Sequence, residues 1–321
     1  MMPWLLSSLG LVILLLAGDA LVKGAVNLSL RVGIPALIVS LTIVAFGTSA
    51  PELLVSVNAV LANKPGLALG NIVGSNIANV LLVLGLPAIL SVLHTSGCRC
   101  FKSYIQMLAA SVLFIALAFR GSFDWISGAI LLCALGLMLA DAFRDTMAHR
   151  REINSRAAAD VDDIADLEGL DPDMPWWQIL TFLLLGLVGL PLGADLLVDN
   201  ASILATRYGV SEAVIGLTLV AVGTSLPELA TTVMAALRKQ ADVALGNVIG
   251  SNIFNLLGII GVAALVGRIP VDPQFLKFDL WIMLGTSLLL IPFVFFRCDI
   301  GRIVGIALTS VYLAYVTIII V

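Results

Sequence analysis

The sequence predicts an all-α polytopic membrane protein: ten transmembrane helices arranged as two inverted five-helix repeats. Three observations carry that expectation. The 321 residues are 60% hydrophobic and only 12% charged, with a mean hydropathy of +1.10, whereas soluble domains carry roughly 25% charged residues. Hydropathy divides the chain into ten apolar stretches. Residues 41–90 also align without a gap to residues 217–266, at a constant offset of 176.

A spanning helix needs about 20 apolar residues. The ten candidates are 3–27, 33–61, 66–93, 103–119, 123–143, 175–204, 210–237, 241–267, 278–296 and 300–320. The first has no basic leader and no small-residue cleavage site, so it reads as a helix rather than a signal peptide. Several exceed that minimum, which licenses a tilt or a break but no particular angle. Residues 1–143 form the expected first repeat, 144–174 a polar linker, and 175–321 the second repeat. The linker opens basic (Arg144, Arg150, Arg151, Arg156) and turns acidic from Asp160 to Asp173. The acidic run is not a helix–loop–helix calcium loop, because Ile164 stands where an oxygen ligand is needed. It reads as a solvated linker, too short for a domain of its own.

The second span matches the seventh, five helices later. Five is odd, so matched helices cross the membrane in opposite directions. The offset also relates Asp19 to Asp195, Arg31 to Arg207 and Gly33 to Gly209. The loops on the side of the linker hold 12 lysines and arginines against 5 on the other. Positive loops face the cytoplasm, so the linker is expected inside and both termini outside.

The residues kept between the repeats are those that cost most in lipid. Gly47-Thr48-Ser49-Ala50-Pro51-Glu52 returns as Gly223-Thr224-Ser225-Leu226-Pro227-Glu228. A carboxylate at the centre of a spanning segment costs ~2.5–3.5 kcal/mol on insertion scales, so it marks a functional site. The proline removes a backbone donor and frees a carbonyl upstream. Broken helices with freed carbonyls and carboxylates are how transporters hold small cations. One helix further on, Gly70-Asn71-Ile72-Val73-Gly74-Ser75-Asn76-Ile77-Ala78-Asn79 returns as Gly246-Asn247-Val248-Ile249-Gly250-Ser251-Asn252-Ile253-Phe254-Asn255. Ser75 and Asn79 share a helix face, as do Ser251 and Asn255. The glycines four apart allow close helix approach. Packing does not explain the asparagines, whose amides need partners.

Two carboxylates, Glu52 and Glu228, balance one Ca²⁺, which takes ~6–8 oxygen ligands. Neither motif contains histidine or cysteine, which argues against zinc and copper. Mg²⁺ keeps its waters and suits a dry pocket less. His94 and His149 read as helix-end residues. Cys98 and Cys100 read as free thiols, since no second pair stands near them. Asp19 and Asp195 read as polar residues near the interface or bonded to a neighbouring helix. No cofactor is expected, nor any obligate protein partner. The lack of a basic patch argues against nucleic acid.

The paired motifs resemble the two alpha-repeats of the sodium/calcium exchanger family, within the cation/calcium antiporters. The resemblance covers nearly the whole chain. It implies a diamond of four cation sites, one favouring Ca²⁺ and the others Na⁺. Carried over by position, Glu52 and Glu228 with the Thr48 and Thr224 carbonyls would hold Ca²⁺. Ser49, Ser75, Ser225 and Ser251, with the Ala45 and Ala221 carbonyls, would hold Na⁺. Asn79 would line the centre. The archaeal exchanger of known structure carries an aspartate where this chain has Asn255, so this centre has two carboxylates rather than three. Proton-coupled relatives are built around a GNAxE pattern that the chain lacks.

The resulting expectation is a secondary-active antiporter rather than an enzyme. It would exchange Ca²⁺ for Na⁺ across the inner membrane by alternating access. Two alternatives remain: a Ca²⁺/H⁺ antiporter using the same site, and a passive cation channel.

Overall fold

The computed structural model describes residues 2–95, 98, 100–156, 171, 174–209 and 221–320. Helices dominate. They are α1 (Met2–Val32), α2 (Ala36–Thr48), α3 (Ala50–Leu61), α4 (Pro65–Leu90), α5 (Phe101–Ala118) and α6 (Trp125–Arg156) in the first half. The second half holds α7 (Trp176–Arg207), α8 (Ala221–Thr224), α9 (Leu226–Leu237), α10 (Ala241–Val266), α11 (Phe275–Phe295) and α12 (Arg302–Ile320). Among the described residues, seven of these are long and apolar enough to cross a membrane, and α2 with α3 makes one bent pair. α9 and most of α12 are shorter apolar helices.

Helix α4 and helix α10 form the core. Their apolar windows are 78% and 83% buried, against 22–50% for the other long helices. Each turns from α to π geometry within its second motif: Asn79–Val83 in α4 and Phe254–Ile259, which contains Asn255, in α10. A π turn widens the helix by one residue and leaves backbone groups out of the α ladder, which is why such turns recur at functional sites. The segment α2 packs tightly on α10. Ser40 Oγ donates to the Val243 carbonyl at 2.7 Å. A Cβ on Gly250 would stand 2.7 Å from both the Leu41 carbonyl and Ala45 Cβ. The glycine pair of α10 thus has the close-approach role its spacing predicts. Gly74 of α4 meets nothing within 4 Å among the described residues, and residues 210–220, the counterpart of α2, lie outside them.

Helices α1 and α7 cross antiparallel on the outside of this core. Small residues set the crossing. A Cβ on Gly10 would meet Leu197 N at 2.7 Å, and one on Gly193 would meet Leu14 N at 2.9 Å. Further along, Gly186 lies directly against Leu21, and a Cβ on Gly24 would meet Leu183 at 2.9 Å. In lipid no hydrophobic force separates helix–helix from helix–lipid contact, so close backbone approach must hold the pair. Gly18 of α1 also lies against the Ala230 carbonyl of α9, at 3.0 Å from where its Cβ would be.

The connections sort to two ends. Strand β1 (Ser122–Phe123) pairs antiparallel with β2 (Ile269–Pro270). At the opposite end of α5, Leu93 bridges Ile300. There His94 Nδ1 lies 2.8 Å from Asp299 Oδ2, and the Thr95 N–H donates to the other oxygen at 3.0 Å. The His94 contact chiefly, with that N–H, holds the Asp299 carboxyl below its ordinary range. His94 is therefore a loop tie, as its place in the sequence suggests. Cys98 and Cys100 are free, buried thiols.

One boundary differs from expectation. The residues from Arg144 to Arg156 are not loop but a continuation of α6. No glycine or proline interrupts Leu137 to Glu168, and Ala, Met, Glu and Arg are strong helix formers. The acidic run apart from Asp171, and the side chain of His149, lie outside what the structure describes.

The crossing of α1 and α7 should not tolerate added volume. Gly186→Val should lower the thermal unfolding temperature in detergent, at a cost of about 1–3 kcal/mol. Gly136→Ala, where the new Cβ meets open space, should leave it unchanged or slightly higher.

Candidate cation site

The site is built on two matched helix breaks. α2 and α3 meet at Ser49 with a bend of 44°. Ser49 has φ −84° and ψ 7°, and Ser225, between α8 and α9, has φ −88° and ψ 5°. Pro51 and Pro227 sit in the first turn of the following helix. There a missing N–H costs nothing, because that donor would be unpaired anyway. Glu52 and Glu228 share that first turn. They face the positive end of their own half-helix, which offsets part of the cost of a carboxylate away from water.

Both glutamates are fully buried and near enough for their charges to interact. Their surroundings differ. Ser49 Oγ donates to Glu228 Oε1 at 3.0 Å, and Ser251 Oγ donates to the same atom at 3.4 Å. The Thr224 and Ser225 side chains lie near Glu52, yet neither Glu52 oxygen meets a donor at hydrogen-bond distance among the described residues. Glu228 Oε2 and Ser225 Oγ are likewise unpartnered there.

The asparagines are held by a reciprocal lattice. Asn76 Nδ2 donates to the Asn252 carbonyl at 3.4 Å, and Asn252 Nδ2 donates to the Asn76 carbonyl at 3.4 Å. Asn79 Nδ2 donates to Asn252 Oδ1, and Asn255 Nδ2 to Asn76 Oδ1, both at 3.1 Å. Every bond has its mirror 176 residues away. The lattice consumes the amide N–H groups of Asn79 and Asn255 and leaves both Oδ1 atoms unpartnered. Among the described residues, six of the nine buried side-chain atoms without a partner belong to the two motifs, and all six are oxygens. Buried polar atoms in folded proteins are nearly always satisfied. A cluster of orphaned oxygens with two carboxylates among them has the donor chemistry that a hard cation requires.

Thr48, Thr224, Ser75 and Ser251 are buried. The Ala45 carbonyl accepts the Ser49 N–H at 3.0 Å and the Thr48 hydroxyl at 3.3 Å. In the second copy the Ser225 N–H donates to Val222 at 3.1 Å instead of to Ala221. Among the described residues no cluster of three or more His, Cys, Asp and Glu side chains forms. The site thus offers two charges and neutral oxygens, unlike a transition-metal centre.

Some participants escaped the sequence reading. Met107 Sδ accepts from Asn252 at 3.7 Å, and Met283 Sδ accepts from Asn76 at 3.9 Å. The two methionines are themselves 176 residues apart, and Ser111 and Ser287 each donate to the carbonyl of the methionine four residues earlier, at 3.0 Å. The signal was the offset, carried on into the fourth and ninth spans. Asp19 is bonded to a neighbouring helix, as one of the two expectations for it had it. It pairs with Lys23 at 3.2 Å and with Arg238, at the end of α9, at 2.5 Å. Its match Asp195 is exposed.

The family model described as "Sodium/calcium exchanger protein" matches residues 2–143 and 178–321. The chain belongs to the sodium/calcium exchanger family. It is 35% identical over 311 residues to the inner membrane protein YrbG of Escherichia coli, covering 95% of this chain and 93% of that one. It is 31% identical over 342 residues to the sodium/calcium exchanger MaX1 of Methanosarcina acetivorans, covering 98% and 97%. Its structure is similar to that of the sodium-calcium exchanger NCX_Mj soaked with Na⁺ and Ca²⁺, with a TM-score of 0.81 and 30% identity over 99% and 98% of the two chains. This exchanger-family chain is an integral membrane protein.

The lattice makes a pH-dependent expectation. Asn255→Asp removes the donor to Asn76 Oδ1 and sets two acceptors against each other. Thermal stability should fall by about 1–3 kcal/mol at pH 8. Protonation of the introduced carboxyl restores a donor, so the deficit should shrink towards pH 5. An equal deficit at both pH values would mean that the lattice does not fix this amide.

Proposed function

We propose that the chain is a secondary-active antiporter that exchanges Ca²⁺ for Na⁺ across the inner membrane by alternating access. The observation that carries this reading is the cluster of six unpartnered buried oxygens between two broken helices. Ca²⁺ would take Glu52, Glu228 and the Thr48 and Thr224 carbonyls. Na⁺ would use Ser49, Ser75, Ser225 and Ser251 with the Ala45 and Ala221 carbonyls. Asn79 and Asn255 would present their Oδ1 atoms to the centre.

Ten spans in two inverted five-helix repeats would carry the site, with α2 and α3 as one broken span and α8 with α9 as another. In this orientation both termini lie outside and the linker is cytoplasmic. The α1–α7 pair, held to the core by small-residue contacts, would slide across it. Coupling then has a physical origin. Two bare carboxylates in a dry site cost several kcal/mol each, so an emptied core resists crossing. Monovalent ions must replace Ca²⁺ before the return step.

Proteoliposomes loaded with Na⁺ should accumulate radioactive Ca²⁺ when diluted into Na⁺-free buffer. Uptake driven only by a pH gradient would instead assign proton coupling to the same glutamates, and flux with no counter-ion requirement would identify a channel. Glu52→Gln and Glu228→Gln should each reduce uptake to background while the protein remains folded, since neutralising a buried unpaired charge does not destabilise. Exchange surviving in both variants would remove these residues from the site.

Orientation is tested separately. A tag within residues 157–170 should resist external protease in right-side-out vesicles and become sensitive once they are opened. Cleavage in sealed vesicles would invert the topology.

A further inference from the structure

Two asparagines outside the expected ligand set join the halves of the site. Asn247 Nδ2 donates to the Glu228 carbonyl at 3.2 Å and to Thr232 Oγ1 at 3.1 Å. Its Oδ1 accepts from Thr48 Oγ1 at 3.3 Å. Asn71 repeats the arrangement in mirror image: Nδ2 to Ser56 Oγ at 3.2 Å and to the Glu52 carbonyl at 3.5 Å, with Thr224 Oγ1 donating to its Oδ1 at 3.5 Å. Each amide therefore clamps the first turn of its own glutamate helix and reaches across to the threonine before the opposite break. Thr48 and Glu228 come from opposite halves of the chain, and the Asn247 side chain is a short hydrogen-bonded path between them. Asn247 is fully buried, so its three bonds are made where water cannot substitute for them.

We propose that Asn71 and Asn247 are positioning residues that fix the separation between the threonine backbone of one half and the glutamate of the other, and so set which cation the site prefers. The proposal rests on the reading that Glu52 and Glu228 hold the transported ion. A Ca²⁺ cage requires its oxygens at about 2.3–2.6 Å from the ion. A cage assembled from two independently moving half-helices accepts larger ions unless something ties the halves together. The threonine hydroxyl and the asparagine amide supply that tie without touching the ion. The bonds around Asn247 are the shorter set, so the Thr48–Asn247 arm should govern discrimination more than the Thr224–Asn71 arm.

The test is a double-mutant cycle in Na⁺-loaded proteoliposomes, with Ca²⁺ and Sr²⁺ as the transported probes. Thr48→Val removes only the hydroxyl and keeps the backbone carbonyl. It should raise half-saturating Ca²⁺ roughly three- to tenfold, the worth of one buried hydrogen bond. Half-saturating Sr²⁺ should rise less, so that the ratio moves towards the larger ion. Asn247→Leu should shift the ratio in the same direction. The double variant should be no worse than the more severe single one, because both remove one link. Thr48→Ser, which keeps the hydroxyl, should lose less than Thr48→Val. Effects that multiply, or equal losses for both ions at an unchanged ratio, would overturn the proposal. If Asn247→Leu does not fold, the Ca²⁺/Sr²⁺ ratio of Thr48→Val decides alone. A wild-type protein without Na⁺-driven uptake would remove the exchanger reading itself, whereas normal wild-type exchange with multiplying effects removes only the positioning role.

Discussion

Two carboxylates buried in the first turn of two half-helices constrain everything else in this molecule. A glutamate in hydrocarbon is tolerable only if it faces protein and has an ion or a dipole to work against. The breaks at Ser49 and Ser225 provide the dipole, because each creates a new helix N-terminus whose first turn holds the glutamate. The prolines make the break inexpensive by standing where a backbone donor would be idle. What the breaks do not provide is enough donors: among the described residues, both Glu52 oxygens and one of Glu228 have none. The fold thus holds a preformed deficit of positive charge, enclosed by its two most buried helices.

That deficit needs a rigid frame, and the frame is made of amides. Asn76, Asn252, Asn79 and Asn255 bond to one another across the two halves. The arrangement works because an amide carries both a donor and acceptors, so four of them close a network that four carboxylates could not. The Met107 and Met283 sulfurs complete it with weak acceptors that add no charge. The outer pair is built differently. α1 and α7 meet over glycines, with backbone against backbone. Such a surface is smooth, the opposite of the α4–α10 core with its interlocking polar bonds. One polar exception among the described residues is Asp19 with Lys23 and Arg238. It ties α1 to the end of α9, and Asp195 has no equivalent arginine opposite it, because Ala62 stands where Arg238 does in the other half.

The parts of this arrangement legible in the sequence are those where polarity is out of place. Gly-Thr-Ser-x-Pro-Glu in an apolar run declares a broken helix, a carboxylate and their pairing. Ser75 and Asn79 declare a face. The partners of those groups were less legible. Asn71 and Asn247 stand within quoted motifs, yet nothing local reveals that their amides reach the opposite threonine, since that contact joins residues 199 positions apart in the case of Thr48 and Asn247. Met107 and Met283 carry an apolar side chain in an apolar span, so only the 176-residue offset marks them. The reach of α6 to Arg156 was hidden for another reason. Hydropathy reports where lipid ends, whereas helix propensity continues beyond it.

The identity of residues 79 and 255 bears on what the site can count. Two asparagines locked by their N–H groups present oxygen but no charge, so the centre carries at most the two charges of Glu52 and Glu228. One Ca²⁺ balances that charge completely, and so do two monovalent ions. An aspartate at either position would add a third charge only by breaking a donor bond in the lattice, so charge and rigidity are linked here. In this chain the amide lattice fixes geometry and the glutamates alone carry charge. On the proposed antiport reading, any proton or Na⁺ that compensates a departing Ca²⁺ would act on Glu52 and Glu228 themselves, and Glu52, with no hydroxyl at hydrogen-bond distance from either oxygen among the described residues, would be the one whose need for it is greater.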